Sequence, residues 1–296
     1  MQKTDFNGSN PGNLTMYRYV PKTATTNTKL PLVVVLHGCT QNGKSIAKIS
    51  EWNTLADKHN FIVLYPTQKR INNVSNCFNW FQLDDISKES GELQSIINMI
   101  DDTTKNYRIN HSKIFVYGVS AGGAMGVALL AVYPEYFNAG AIFAGAPYKI
   151  AITKRTALQA ITNSKSNSPK KWANLVPNIN TTKAFPKLIV YHGVKDKVVT
   201  IQNSKELIKQ WTYLHQIDTV PDRIVYNYKS APVDKIIYTD TTKTEKILFY
   251  KLLTCGHRIP INPGKETDEG GKKSLFSKDI GFFSTYHVAN DFGLIK

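Results

Sequence analysis

Long apolar runs are missing from this chain of 296 residues. No stretch reaches the roughly 18 to 20 consecutive apolar residues that a membrane-spanning helix needs, so we expect no transmembrane segment. The first residues, Met1 to Asp5, also lack the apolar core of a secretory signal. We therefore expect either a cytoplasmic protein or a mature form from which a leader has been removed.

Patterns typical of metal and nucleic-acid binding are also lacking. The seven histidines are dispersed, and no His, Cys and Asp residues have the spacing of metal ligands, so neither a metal nor another cofactor is expected. The net charge is +15, and residues 149–296 hold 24 Lys and Arg against 12 Asp and Glu. Because these lysines form no Arg-rich run, we expect no nucleic-acid partner and at most a weak attraction to acidic surfaces.

Cysteine is scarce, with only Cys39, Cys77 and Cys255 in the chain. Three cysteines are compatible with one disulfide and one free thiol, or with three reduced, buried thiols. The count alone leaves both alternatives open.

Apolar strands alternate with amphipathic helices along the chain, and this predicts an α/β fold with a mostly parallel central sheet and helices on both faces. The predicted strands cover 14–20, 32–36, 61–65, 114–117, 141–143, 187–191 and 247–250. The first is expected to be antiparallel and to lead through Pro21 into a polar linker. The predicted helices cover 46–58, 91–107, 124–133, 207–214 and 280–295, with a polar meander at 217–245. We expect a single domain over 1–296, in which the lysine-rich residues 148–186 form a small cap.

The stretch Gly118-Val119-Ser120-Ala121-Gly122 follows a predicted strand and precedes a predicted helix. Gly-x-Ser-x-Gly in this context is typical of the nucleophile elbow of an α/β-hydrolase, where a sharp turn presents the serine above the sheet. Ser120 is therefore the predicted nucleophile. The backbone N–H of Ala121, at the start of the helix, is a predicted oxyanion donor, and that of Cys39 after the strand 32–36 is the second.

Two further residues complete a Ser, Asp, His order. Asp196 follows the strand 187–191, and His257 follows the strand 247–250 in a loop containing Gly and Pro. This is the chain order of the triad in α/β-hydrolases, in which the carboxylate orients the histidine and the histidine takes the serine proton. His37 and His192, each next to a glycine, are predicted to be structural.

An aromatic loop lies between the second buried strand and the helix 91–107. Phe78, Trp80 and Phe81 fall within four residues there. Clustered aromatic residues in a loop are compatible both with the wall of an apolar cleft and with a lid on the core, and the sequence favours neither.

Several motifs together resemble the esterase family of polyhydroxybutyrate depolymerases, which also includes feruloyl and acetylxylan esterases. The resemblance rests on Leu36-His37-Gly38-Cys39-Thr40-Gln41, Cys77-Phe78-Asn79-Trp80-Phe81, Gly118 to Met125, Tyr133 to Phe137, Tyr191-His192-Gly193 with Asp196, and Gly256-His257. It implies the same triad and oxyanion donors. We predict that Thr40, Gln41, Trp80 and Ile259 bind the substrate. The resemblance also implies a Cys39–Cys77 disulfide and an exported, secreted or periplasmic enzyme.

One position departs from the family pattern. Members acting on polymers or aromatic esters usually carry Trp two residues after the histidine, where this chain has Ile259. The predicted function is therefore a serine carboxylesterase, similar to polyhydroxybutyrate depolymerases, that acts through an acyl-enzyme on a small ester or on an ester-bearing oligomer or polymer. The alternatives are a feruloyl or acetylxylan-type esterase, an acyltransferase, and a non-catalytic protein that binds a polyanion or glycan.

Overall fold

The computed structural model describes residues 1–6, 8–24 and 29–295, so the predicted linker after Pro21 lies partly outside the described residues, at 25–28. Its strands are β1 (Gln2–Thr4), β2 (Thr15–Tyr19), β3 (Leu30–Leu36), β4 (Ile62–Thr67), β5 (Ile109–Val119), β6 (Ala139–Phe143), β7 (Lys187–Gly193), β8 (Arg223–Val225), β9 (Val233–Thr239), β10 (Glu245–Leu252), β11 (Ile259–Ile261) and β12 (Ser277–Asp279). Its helices are α1 (Gly43–Ser50), α2 (Trp52–His59), α3 (Gly91–Asn106), α4 (Ala121–Val132), α5 (Lys154–Thr162), α6 (Pro169–Ala173), α7 (Gln202–Leu214) and α8 (Ser284–Asp291).

Ten of the described strands form one open sheet in the order β1-β2-β4-β3-β5-β6-β7-β10-β9-β8. The six strands from β4 to β10 run parallel, whereas β1 and β2 on one side and β9 and β8 on the other are antiparallel to their neighbours. The predicted α/β fold with a mostly parallel sheet is confirmed. Strands β11 and β12 form a separate parallel pair.

The central strands are apolar on both faces because helices cover both sides of the sheet. Along β3, Leu32 and Val34 belong to one core cluster, which includes side chains of α3, α4 and α7. Val33 and Val35 point the other way, into a cluster with side chains of α1, α2 and α8. The six parallel strands therefore form a rigid platform, and their carboxyl ends share one edge.

Three segments differ from the predictions. The predicted helix 46–58 is two helices, because Glu51 adopts a left-handed conformation with φ 55° and caps α1 through a hydrogen bond to the Ala47 carbonyl. The predicted helix 280–295 is shorter and covers only α8. The meander 217–245 contains β8 and β9, so two further strands lie beyond β10 at that side of the sheet.

Polar residues at the start of β9 explain why that strand escaped prediction. Asp234 and Lys235 interrupt its apolar pattern, yet both are buried. The ammonium of Lys235 lies 3.4 Å from the carboxylate of Asp291. The attraction between the two charges offsets the cost of removing them from water.

The segment 148–186 contains α5 and α6 and packs against α7. Gln210 of α7 accepts a hydrogen bond from the Tyr148 amide at 2.8 Å and donates one to the Trp172 carbonyl at 2.9 Å. The buried carboxylate of Glu206 accepts a hydrogen bond from the Trp172 indole at 2.7 Å. These contacts hold the segment firmly on the body of the protein. No helix in the described residues is long and apolar enough to cross a membrane.

Candidate active site

A cleft of about 1040 Å³ opens where the carboxyl ends of β3, β5, β6, β7 and β10 meet. Ser120, Asp196 and His257 each follow one of these strands, β5, β7 and β10 respectively. Open α/β sheets bind their ligands at this edge, because strand ends and the loops after them converge there. The cleft is therefore the candidate active site.

Ser120 occupies the turn between β5 and α4. Its backbone has φ 56° and ψ −119°, a conformation that a non-glycine residue adopts only when its surroundings impose it. A Cβ on Gly122 would lie 2.5 Å from the carbonyl oxygens of Leu36 and His37, and a Cβ on Gly118 would overlap the Gly122 carbonyl. The two glycines thus allow helix and strand to cross closely, and the serine side chain is left at the tip of the turn.

The structure brings Ser120, His257 and Asp196 into one hydrogen-bonded chain. The His257 Nε2 lies 2.9 Å from the Ser120 Oγ, and the His257 Nδ1 lies 2.7 Å from the Asp196 Oδ2. If Nδ1 carries the proton and donates it to the carboxylate, Nε2 is free to accept the serine proton. The arrangement has the geometry of a nucleophile, a base and an orienting carboxylate.

Asp196 is fixed from several sides. Its Oδ1 accepts hydrogen bonds from the amides of Val198 at 2.8 Å and Val199 at 2.9 Å. Its Oδ2 lies 3.4 Å from the Nε2 of the buried His192. Burial disfavours the charged carboxylate, but the hydrogen bonds from His192, His257 and Val199 outweigh it and hold the pKa of Asp196 well below its usual range. The carboxylate therefore stays ionised and aimed at His257.

His192 and His37 both have hydrogen bonds that hold their rings in place. His192 Nε2 lies 2.9 Å from the Val199 carbonyl, and its Nδ1 lies 2.6 Å from the Ser204 hydroxyl. The His37 Nε2 accepts a hydrogen bond from the Gln68 amide at 3.1 Å, so Nδ1 carries the proton, 2.8 Å from the Gly38 carbonyl. Burial lowers the pKa of His37 to about 4, which keeps the ring neutral.

Cys39 and Ala121 both line the cleft with Ser120 and carry candidate backbone N–H donors. Ala121 is the first residue of α4, where an amide has no partner within the helix. Cys39 lies in the loop after β3. Among the described residues neither amide donates a hydrogen bond to another protein group, so both are available to an oxygen of a bound molecule.

The loop that carries Cys39 is linked to the aromatic loop. A disulfide joins Cys39 to Cys77, which confirms the pairing implied by the family resemblance, and Cys255 remains as a buried free cysteine. Below the disulfide, the buried Glu92 accepts hydrogen bonds from the Gln68 side chain and from the Asn79 amide. Burial, together with the nearby Asp85 carboxylate, raises the pKa of Glu92 to about 8.

Two of the four predicted substrate-binding residues line the cleft. Trp80 does so with its neighbour Phe81, whose ring meets it edge to face at 5.6 Å between centroids. Phe78 instead is fully buried in the core, so the aromatic loop serves both as cleft wall and as core. Gln41 also lines the cleft, and its Oε1 accepts a hydrogen bond from the Gly38 amide at 2.9 Å.

The other two, Thr40 and Ile259, do not line the cleft. Thr40 is exposed, and its hydroxyl donates to the Cys39 carbonyl at 2.6 Å. Ile259 is 1% exposed and packs in the core. The chain turns tightly after Gly256, whose carbonyl accepts a hydrogen bond from the Arg258 amide, and Ile259 then enters β11. Arg258, which directly follows His257, borders the cleft.

An apolar rim surrounds the cleft and was not predicted. Of thirteen large hydrophobic residues that are exposed in the described part of the chain, six line this cleft. These six, which we call the apolar rim, are Val74, Leu83, Ile152, Leu158, Val198 and Phe276. They come from separate loops and from α5, so no local sequence pattern could have indicated them.

The residues present do not suggest a metal centre. Over residues 1–6, 8–24 and 29–295, no group of three or more His, Cys, Asp or Glu side chains is arranged to hold a metal ion.

Several known proteins are similar to this chain in sequence and in fold. Residues 14–225 match the family described as Esterase PHB depolymerase. Poly(3-hydroxyalkanoate) depolymerase C of Paucimonas lemoignei is 35% identical over 292 residues, which cover 97% of this chain and 69% of that protein. Feruloyl esterase B of Neurospora crassa is 31% identical over 265 residues, 86% of this chain and 87% of that protein.

Among solved structures, an acetyl xylan esterase from Aspergillus awamori superposes with a TM-score of 0.79 at 26% identity, covering 86% of this chain and 93% of the other. Esterase PE8, at 15% identity and a TM-score of 0.53, shares the fold. The family match, the close relatives and the superposition agree with one another. The chain therefore belongs to the esterase family of polyhydroxybutyrate depolymerases, and it is a carboxylic ester hydrolase.

Proposed function

We propose that Ser120 is the nucleophile of this esterase, with His257 as its general base and Asp196 as the carboxylate that orients the histidine. The observation that carries the proposal is the continuous chain from the Ser120 Oγ to the His257 Nε2 at 2.9 Å, and from the His257 Nδ1 to Asp196 at 2.7 Å. A serine hydroxyl is a weak nucleophile until such a base takes its proton.

In the first step, the Ser120 Oγ attacks the ester carbonyl carbon while its proton moves to the His257 Nε2. The carbonyl oxygen becomes an oxyanion, which the N–H groups of Cys39 and Ala121 stabilise; removing one such donor typically slows an enzyme about a hundred- to a thousandfold. The intermediate expels the alcohol, which receives the proton from His257. Water, activated by the same histidine, then cleaves the acyl-enzyme and releases the carboxylic acid.

We further propose that the substrate is a polyester of hydroxyalkanoic acids or its oligomers. The apolar rim supports this choice, because several exposed apolar residues gathered around one site typically mark contact with an apolar partner. A polyester surface is such a partner, whereas a glycan carrying acetyl groups is hydrated and polar. The similarity to poly(3-hydroxyalkanoate) depolymerase C points the same way.

A feruloyl or acetylxylan-type esterase is the second candidate. The edge-to-face pair of Trp80 and Phe81 in the cleft wall favours it, because an aromatic acyl group could stack there. Transfer of the acyl group to a sugar or lipid hydroxyl would differ only in the acceptor that replaces water.

We propose that residues 1–296 form a single catalytic domain. We propose that residues 148–186 act as a partial cap, since Thr153, Lys154 and Ala157 of this segment line the cleft. We also propose that the enzyme works in an oxidising compartment, secreted or periplasmic. Disulfides persist there and are rare in the cytosol, and the Cys39–Cys77 bridge supports this location.

Intact mass after treatment with a fluorophosphonate, followed by turnover of an ester panel, tests the proposal. Wild type should gain a single adduct, and Ser120→Ala should gain none. Ser112→Ala, which removes an exposed hydroxyl from the amino end of the same strand, is the matched control and should label like wild type. A labelled Ser120→Ala protein would rule out this nucleophile. Faster turnover of feruloyl or acetyl sugars than of hydroxyalkanoate oligomers would select the second candidate.

A further inference from the structure

The segment 148–186 carries an unusual charge pattern. It holds seven Lys and Arg and no Asp or Glu, so it supplies +7 of the net charge of +15 within 39 residues. Six of these cations are exposed, and none forms an ion pair within the described residues. They are Lys154, Arg155, Lys165, Lys170, Lys171 and Lys183. A cationic surface without compensating acids attracts anions over roughly 10 Å at about 0.1 M salt.

The segment presents these charges from a fixed position. Asn203 of α7 donates to the Ala160 carbonyl at 3.0 Å, and the Thr200 amide donates to the Ile161 carbonyl at 2.7 Å, so α5 is held at both of these residues. Glu206, an acidic side chain that contacts the segment at Ser166, Asn167 and Trp172, is buried and paired with Lys209 at 2.7 Å. It therefore does not neutralise the exposed cations.

The same segment also carries part of the apolar rim. Ile152 and Leu158 are exposed and line the cleft, and Lys154 lines it between them. One cation and two apolar side chains of the segment thus line the cleft, and the other exposed cations lie on the same segment outside it. A surface that fits both would be apolar and would carry scattered negative charges.

Ester hydrolysis itself produces such a surface. Each cleaved ester of a polyester leaves one carboxylate and one hydroxyl, and the carboxylate is ionised at neutral pH. We propose that residues 148–186 form a docking surface for the carboxylate-bearing surface of a partly hydrolysed polyester. This inference rests on the proposed polyester substrate. In this inference, the role of the cations is to keep the enzyme bound to polymer that it has already cut.

Adsorption to particles tests the proposal without depending on catalysis. All proteins carry Ser120→Ala, and the particles are a hydroxyalkanoate polyester, either intact or partly hydrolysed by alkali. In the test variant Lys165, Lys170 and Lys171 are replaced by Gln; none of these three lines the cleft. In a second variant the same three are replaced by Arg, which keeps the charge.

The matched control removes the same charge from the opposite side of the molecule. Lys58, Lys105 and Lys113 are exposed and lie near the amino ends of the parallel strands. In this control they are replaced by Gln. Unfolding temperatures establish that each variant is folded.

We expect the parent, the Arg variant and the control to bind hydrolysed particles more tightly than intact ones. We expect the Gln variant of the segment to bind hydrolysed particles at least about tenfold more weakly than the parent at ~0.01 M salt, where the Debye length is about 30 Å. At ~1 M salt, where the Debye length is about 3 Å, the difference should disappear.

Three results would overturn the proposal. Equal losses in the segment variant and the control would show an effect of total charge alone. Adsorption of the parent to hydrolysed particles that salt does not weaken would exclude charge altogether. Tighter segment-dependent binding to polygalacturonate beads than to hydrolysed polyester would assign the surface to an acidic glycan instead. Loss of ester turnover is measured separately, in the Ser120 experiment, so failure of the proposed function remains distinguishable.

Discussion

A disulfide joins Cys39 to Cys77 and so fixes the loop of one proposed oxyanion donor to the loop that carries Trp80. The bridge closes 38 residues of chain. A loop of that size restricts the unfolded chain by an amount equivalent to about 4 kcal/mol. The disulfide therefore links stability to the position of the proposed oxyanion donor.

We predict that Cys77→Ser, or reduction of the wild type, lowers the free energy of unfolding by up to about 4 kcal/mol and also lowers kcat. Urea unfolding and turnover of a soluble ester, each with and without reductant, measure both effects. Cys255→Ala is the control, because it removes the buried free thiol and leaves the bridge intact. Unchanged stability of the reduced protein would contradict the prediction.

Asp196→Asn should lower kcat by roughly 10⁴-fold, because an amide in place of the carboxylate no longer fixes the His257 tautomer and no longer stabilises its charged form. Steady-state hydrolysis of a soluble ester measures the change. Asp222→Asn is the control, because this exposed carboxylate lies directly before the edge strand β8 and is not part of the triad. An Asp196→Asn enzyme with more than a few per cent of wild-type kcat would argue that another group orients His257.

Glu92 should make stability depend on pH. Its pKa rises from the ordinary value of 4.5 to about 8 in the folded protein. Within this window the unfolded chain releases a proton that the folded protein keeps, so the free energy of unfolding should fall as pH rises. The full decrease is about 3 to 5 kcal/mol.

Urea unfolding at several pH values between these limits, for wild type and Glu92→Gln, measures this dependence. The variant cannot titrate at this position, so its stability should change less across the window. Glu89→Gln, at an exposed site three residues earlier, should keep the wild-type dependence. Parallel curves for wild type and Glu92→Gln would show that Glu92 is ionised throughout.

Trp80 and Ile259 should respond to mutation in opposite ways. Ile259→Ala should destabilise the fold by about 2 to 5 kcal/mol with little effect on KM, because its side chain lies in the core. Trp80→Ala should lower kcat/KM by about tenfold, because the substrate loses apolar contact in the cleft. Thermal unfolding and ester kinetics on both variants separate the effects. A raised KM in Ile259→Ala with unchanged stability would place that residue at the substrate after all.

Much of the fold and the order of the candidate triad could be predicted from the sequence. Ser120, Asp196 and His257 each follow an apolar strand, and in a parallel sheet the carboxyl ends of such strands meet. That argument needs only local patterns and the geometry of the sheet. The turn at Ser120 could also be predicted. In a Gly-x-Ser-x-Gly turn the strand and the helix cross closely, and this crossing requires glycine at positions 118 and 122.

The rest depends on contacts that no local pattern records. Ile259 lies two residues from His257, yet the turn at Gly256 and the pairing of β11 with β12 direct its side chain into the core. Strand β9 was missed because its buried Lys235 is compensated by Asp291, 56 residues away. The apolar rim is assembled from loops whose exposure is decided only when the whole chain is folded.

The two outermost strands of the sheet, β1 and β8, have a consequence for behaviour in solution. Each has only three residues, and each contains a basic residue, Lys3 or Arg223. Long, flat, uncharged edges invite strands of other molecules to add to a sheet, whereas short, charged edges discourage this. On the polyester surface that we propose as its substrate, the enzyme would reach a high local concentration. Its sheet then offers neighbouring copies little free backbone on which aggregation could begin.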